Sequence, residues 1–463
     1  MTVVDLDDAP PERPPAARHR RARLPWVLAA AGVVVALVVA QAVLDARERA
    51  QLARLAQVPG VLAPLDGPPR TLWSLGTDED GTQRSWPTDP VDGTTVVVRR
   101  VAGDRTVVGL DARSGEERWR TPLPLEPGAS PALPPSTWCE AVGRSGVVRC
   151  ESQFPAGTRT VATSFLVDVA DGRVLRRVDD VEQSVVAGDL LVVGTSERAG
   201  ADVAWTLAAQ DPRSGATVWS TSLPAVRRVE RVNLGSQVVG VTASLTAAGG
   251  RVMLTESGHA TVLGPDGSVE RTIEVGLDGW TSLAADGTVG WSPYGAMAPT
   301  PRLWLPDGTQ VDAEGYPVQP DVDDGSAPGL LWVEDSGDRE LVALDATTGR
   351  TLWRAPATTA PLVLDGVVYV GTATGAAAWD ARTGRERWHT DVGRQAGLVA
   401  TDGRSLLVLS ISRRWFALGL TDGARRWDAQ ASPPLGRVGG GGPLQRWDRY
   451  VLAGDGSTVV VQG

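Results

Sequence analysis

One unit recurs along this chain and constrains its fold more than any other feature. Ala343–Trp353 (ALDATTGRTLW) and Ala378–Trp388 (AWDARTGRERW) both read A-x-D-x-x-T-G-x-x-x-W, placing Asp345, Gly349 and Trp353 in register with Asp380, Gly384 and Trp388. Gly109–Trp119 and Ala209–Trp219 repeat it around Gly115 and Gly215 with serine for threonine, and Ala417–Trp427 keeps Gly423 and Trp427. Weaker copies surround Gly172, Gly267 and Gly308. A period carried this far means a stacked array rather than independent domains.

The chemistry of the unit is that of a hairpin. Apolar runs such as Gly366–Gly371 (GVVYVG) are rich in β-branched residues and suit strands. In Asp-x-x-Thr-Gly the carboxylate can accept from amides further along the turn, and the glycine can take positive φ. The tryptophan then falls on the outgoing strand, where it offers a large flat surface and one N–H donor. One hairpin cannot bury such a face alone.

The turn glycines at 115, 172, 215, 267, 308, 349, 384 and 423 are 35 to 57 residues apart, centred near the ~40 residues of a four-stranded blade. The expectation is an all-β propeller of four-stranded blades, eight plus or minus one. Literal counting gives nine, and the units at Gly267 or Gly308 are candidates for an incomplete blade. Arg70-Thr71-Leu72-Trp73 duplicates Arg350-Thr351-Leu352-Trp353, and the carboxyl end supplies three strand-like pieces, Pro443–Trp447, Arg449–Gly454 and Ser457–Gln462, without an outgoing partner. The strand at 70–75 is therefore expected to complete the last blade and clasp the ring.

At the amino end, residues 1–23 are polar and proline-rich and read as a disordered tail. Leu24–Leu44 (LPWVLAAAGVVVALVVAQAVL) is uncharged, long enough to span a bilayer, and preceded by Arg13, Arg18, Arg20, Arg21 and Arg23. This predicts a single-pass plasma-membrane helix over 24–44 in contact with lipid, a cytoplasmic amino terminus, a linker over 45–65 and an extracytoplasmic propeller over 66–463. A signal peptide cleaved near Ala40-Gln41-Ala42 is the rival reading, as is a buried core helix; helical character continuing through 45–58 favours the uncut anchor.

Composition excludes several function classes. The 45 basic residues are all arginine and the 55 acidic ones outnumber them, for a net charge of −10, which opposes a nucleic-acid partner. Residues 1–65 hold eight arginines against six acids, +2, so the remainder carries −12 and favours basic or neutral partners. Three histidines (His19, His259, His389) leave little for metal sites or histidine-based triads. Cys139 and Cys150 flank the turn signal Gly143-Arg-Ser-Gly146 and suit neighbouring antiparallel strands, where an oxidising compartment would join them. The acidic runs Asp78–Gly81 and Asp321–Gly325 lack the closing glutamate of a calcium loop and read as solvated turns. Gly439–Gly442 lacks the lysine of a phosphate loop.

The repeated unit resembles the tryptophan-docking motif of the pyrroloquinoline-quinone repeat family, which includes quinoprotein dehydrogenases and BamB-like outer-membrane assembly proteins. The resemblance covers roughly residues 70–463. It implies that Trp73, Trp119, Trp219, Trp353, Trp388 and Trp427 lock adjacent blades together. The dehydrogenases of that family commonly use an adjacent cysteine pair, a calcium-bound quinone and an aspartate base. Here the cysteines are separated and Asn233 is the single asparagine, so no catalytic, cofactor or metal residue is assigned. A BamB-like lipoprotein anchor is not expected either, because no cysteine lies near the span. The resulting expectation is a binding scaffold for a protein, peptide or envelope partner, with a quinone-dependent oxidoreductase or a ligand sensor as alternatives.

Overall fold

Strands that are apolar on both faces need a neighbour on both faces. Ser405–Ser410 (SLLVLS) and Gly375–Asp380 (GAAAWD) are buried almost throughout, whereas outer strands such as Thr217–Ser222 alternate between exposed and half-buried side chains. A sheet sandwiched between two others shows this pattern. The computed structural model describes residues 24–65, 67–76, 86–101, 104–124, 136–156, 159–234, 237–294, 300–313, 315–335, 339–431, 444–447, 449–454 and 459–462. The polar tail 1–23, the acidic run 78–81 and the glycine run 439–442 lie outside the described residues.

Two units are distinguished. The first contains the body of a helix, α1, over Leu24–Leu55, with Val33, Val34, Val35, Leu37, Val38 and Val39 exposed. Several side chains of the expected span 24–44 lie outside the described residues, and among those described no helix is long and apolar enough to cross a membrane.

The second unit, from Leu55 onward, is a β-propeller. Its sheets are antiparallel meanders in chain order, and we number them as blades: 1 (94–122), 2 (136–181), 3 (183–222), 4 (244–274), 5 (279–312), 6 (316–356), 7 (362–391), 8 (396–430) and 9 (444–462). Within a blade the strands are named a to d in chain order, and neighbouring a strands approach one another around the axis. The count of nine falls within the expected range. Blade 9 is completed by Thr71–Leu75, which pairs antiparallel with Val459–Gln462 (Trp73 opposite Val461, Leu75 opposite Val459). The clasp read from the duplicated strand is therefore present.

The expected incomplete unit is not where the weak repeats suggested. The blades around Gly267 and Gly308 both carry four strands, because turn and strand pairing survive loss of the tryptophan. Blade 1 instead shows three described strands, with Thr88 bonded to Val96 where its a strand would run. Blade 7 gains a strand: Val322–Asp323 leaves blade 6 between its a and b strands and pairs in parallel with Leu362–Leu364.

The core has no single centre. Among the described residues nine apolar clusters are found, and each spans two consecutive blades, including Trp73, Leu75 and Val461 of blade 9 against Val97, Val108 and Leu110 of blade 1. The segment from Leu55 onward belongs to this core. Leu55 and Val61 join the seam between blades 7 and 8, Leu62 donates its amide to Thr401 O and Ala63 donates to Arg449 O.

Because strands a and c run the same way, the a–b and c–d turns emerge on one face. The b–c turns and the d–a connections emerge on the other. The repeated glycine turns are c–d turns, so the first is called the motif face here.

Candidate functional site

The geometry of the motif begins with its aspartate. Asp345 Oδ1 accepts from the amides of Thr347 (3.0 Å) and Thr348 (2.8 Å) and from the Thr348 hydroxyl (2.9 Å). Asp380 accepts from Thr383 in the same way and pairs with Arg387 at 3.0 Å. In blade 1, the Ser114 amide and then the Arg118 guanidinium hold Asp111 down at a pKa of about 2. Each aspartate carbonyl also accepts the amide of the turn glycine four residues on, as Gly349 to Asp345 and Gly384 to Asp380. A small residue stands two places before the aspartate position, which is Gly419 in blade 8, for a packing reason: Ala209, Ala343, Ala378 and Ala417 stand directly across the ladder from Trp219, Trp353, Trp388 and Trp427.

The tryptophan reaches past its own turn to the glycine turn of the next blade. Trp353 Nε1 donates to Ala381 O (2.8 Å) beside Gly384, and Trp388 Nε1 donates to Leu420 O (2.9 Å) beside Gly423. Trp119 donates to Val169 O (2.7 Å), Trp219 to Pro265 O (3.1 Å) and Trp73 to Ala112 O (3.0 Å). A threonine two residues after the tryptophan adds a second bond in three seams: Thr121 to Gly172 O, Thr221 to Gly267 O and Thr390 to Gly423 O. The turn facing Trp427 lies outside the described residues, while Trp427 itself packs on the seam between blades 8 and 9.

Three seams use a different residue at the tryptophan position. Arg176 covers Gly215 and donates to Gln210 Oε1 (2.8 Å). Arg271 donates to Leu305 O and Gly287 O, and Val311 covers Gly349.

Cys139 and Cys150 face each other across strands a and b of blade 2 and form a disulfide, with Cα atoms 4.0 Å apart. Cys150 is buried in the seam with blade 1. The acidic segment at 321–325 is spent on backbone: Asp323 and Asp324 accept from the Gly325 and Ser326 amides, and Asp324 Oδ2 also accepts from Asp365 N (2.9 Å). Among the described residues no group of three or more His, Cys, Asp or Glu could hold a metal ion. The cysteine disulfide is cross-strand rather than vicinal, so it does not match the quinone-facing pair of the dehydrogenases.

On the face opposite the motif turns, two features stand out. Trp280 opens strand a of blade 5 and meets Tyr316 of blade 6 edge-on at 5.4 Å; Trp280 is 39% exposed and nearby Tyr294 50%. Between blades 3 and 4 lies a cleft lined by Trp205, Leu223, Val226, Leu254, Glu256 and His259, of about 390 Å³ counting its open mouth. Glu256 is buried there, its carboxylate accepting from Trp205 Nε1 (3.0 Å) and from the Ser257 hydroxyl (2.5 Å). Sequence reasoning missed this cleft. Trp205 lies outside the repeated position, and 51 residues separate it from Glu256.

A family model described as outer membrane protein assembly factor BamB matches residues 58–264 and 280–462. The chain belongs to this family. Among solved structures it is similar to BamB from Moraxella catarrhalis (17% identity, 85% of this chain and 99% of that one, TM-score 0.42). It is also similar to Sqt1 from Saccharomyces cerevisiae (10%, 85% and 99%, TM-score 0.40) and to a europium-containing methanol dehydrogenase (13%, 87% and 91%, TM-score 0.40). A search of curated proteins finds no match to the chain. In this member of the BamB family the repeated glycine–tryptophan pair lies inside the seams.

Proposed function

We propose that this protein is a non-catalytic binding scaffold, held at the plasma membrane by the helix over residues 24–44, whose extracytoplasmic propeller docks a protein, peptide or envelope partner. The observation that carries the reading is the aromatic group on the face opposite the motif turns, where Trp280 and Tyr294 are exposed and Tyr316, half-buried, meets Trp280 edge-on. Aromatic side chains exposed together on a rigid support are the residues that interfaces favour. The family description, an assembly factor, agrees with a partner-binding role. For the anchor, support comes from the uncharged run Leu24–Leu44, the five arginines before it and the exposure of Val33–Val39 in α1. The charge of −12 after residue 65 favours partners that are basic or neutral on their contacting face.

The test is a photocrosslinking amino acid placed at Tyr294, or at exposed Thr347 on the motif face, in the full chain in living cells. One recurrent adduct from Tyr294 and none from Thr347 is expected. No consistent adduct from Tyr294, or the same adducts from both positions, would remove the reading. Protease added to intact spheroplasts is expected to degrade the propeller; its protection would remove the extracytoplasmic placement.

A further inference from the structure

Among the described residues, the carboxyl group of Glu256 in the cleft between blades 3 and 4 has only neutral hydrogen-bond partners. Glu256 is 6% exposed. Among the described residues its carboxylate accepts only from the Trp205 indole and the Ser257 hydroxyl. A carboxylate has about four lone-pair directions, so these two donors leave room for more. Removing it from water without a cation is costly. Ser257 follows it in the two-residue turn Ser257-Gly258, whose positive φ values of 50° and 83° this kind of hairpin requires. Its hydroxyl also accepts from Val229 N (2.9 Å), which ties the blade 3–4 connection to the glutamate.

The rest of the cleft suits the stem of a long side chain. Leu223, Val226 and Leu254 are apolar walls, the Trp205 ring is a flat one, and Thr261 and Thr272 add hydroxyls. At the mouth, His259 Nδ1 lies 3.3 Å from Ser257 O.

We infer that this cleft binds the arginine or lysine side chain of a partner polypeptide, with Glu256 receiving the cationic head and Trp205 flanking the stem. The inference deepens the scaffold reading and rests on it for the source of the side chain. It fits the charge of −12 carried after residue 65. The apolar stem and desolvated carboxylate together select a cation on an alkyl chain over an equally long neutral group.

The test uses the full chain in detergent micelles with isotopically labelled histidine. With three histidines in the chain, the imidazole signals are few, and His389 on the outer strand of blade 7 serves as reference. N-acetyl-L-arginine amide and N-acetyl-L-lysine amide are titrated beside N-acetyl-L-norleucine amide. The cationic amides are expected to shift His259 and not His389, at least tenfold more tightly than norleucine amide. Glu256→Gln should lose that preference, while Glu270→Gln on the outer strand of blade 4 keeps it. Equal shifts with norleucine amide, or none at tens of millimolar cationic amide, would overturn the inference; neither comparison needs a variant. If Glu256→Gln abolishes amide binding while the Tyr294 crosslink persists, the cleft is not the partner's dock and the scaffold reading stands. Loss of the crosslink with intact amide binding would sink the scaffold reading alone.

Discussion

The indole of Trp73 covers Gly115, although the two residues belong to different blades: Trp73 completes blade 9 and Gly115 turns in blade 1. Its N–H meets Ala112 O at 3.0 Å, and the ring stands edge-on to Trp447 at 6.1 Å. One side chain thus holds the clasp and the ring-closing seam together.

Trp73→Ala is therefore expected to destabilise the propeller by about 3–5 kcal/mol, the range for emptying a buried large aromatic site. Urea or thermal unfolding of the full chain measures it. A variant that unfolds at the wild-type midpoint would show that the closing seam does not depend on this contact.

A methyl group at Gly423 would lie 2.5 Å from Trp388 Cε3, at a backbone φ of 65°. Gly423→Ala combines steric conflict with left-handed strain, and a loss of roughly 2–3 kcal/mol is expected. Paired with Trp388→Ala, the two changes should be strongly non-additive, since the second removes what the first collides with. A double-mutant cycle decides, and additive losses would contradict the docking geometry.

The Cys139–Cys150 bridge closes a short loop, with a sequence separation of 11. On chain-entropy grounds it contributes about 2–3 kcal/mol. Cys139→Ser with Cys150→Ser, compared with wild type in unfolding without reductant, should show that loss. Adding reductant should then lower the wild type toward the double variant and leave the variant unchanged.

Asp111 has its folded pKa lowered to about 2, chiefly by the Ser114 amide and then by Arg118. A lowered folded pKa means that the ionised turn contributes stability above the unfolded pKa, near 4. That contribution is lost as pH falls through about 2. The midpoint difference between wild type and Asp111→Asn should accordingly be constant from pH 7 to about 5 and shrink toward pH 2. A difference independent of pH would assign the effect to something other than the charge.

Much of this fold was legible because its information is local. Asp-x-x-Thr-Gly specifies its own turn, and Trp73 could be assigned to the end of the ring because Arg70–Trp73 duplicates Arg350–Trp353. The completeness of the blades at Gly267 and Gly308 was not legible. There the seam is made by Arg271 and Val311, which carry no repeat signal but still cover the neighbouring turn or bond to it. The parallel strand Val322–Asp323 was hidden for a related reason: two residues have no period. The Glu256 cleft depends on a contact between Trp205 and a residue on the next blade, a pairing that appears only when the two blades stack.

The pairing of Leu75 with Val459 sets a schedule for the molecule's birth. The strand that finishes blade 9 is made before blades 1 to 8 are, and its partner only after them. At ~5–20 residues per second, synthesis of the ~380 residues between them takes roughly 20 to 80 s. For that interval Thr71–Leu75 is a strand without a sheet, and Trp73 has a neighbour on one side at most. A nascent chain of this design must be kept from pairing its waiting edge with other chains until Val459–Gln462 arrives.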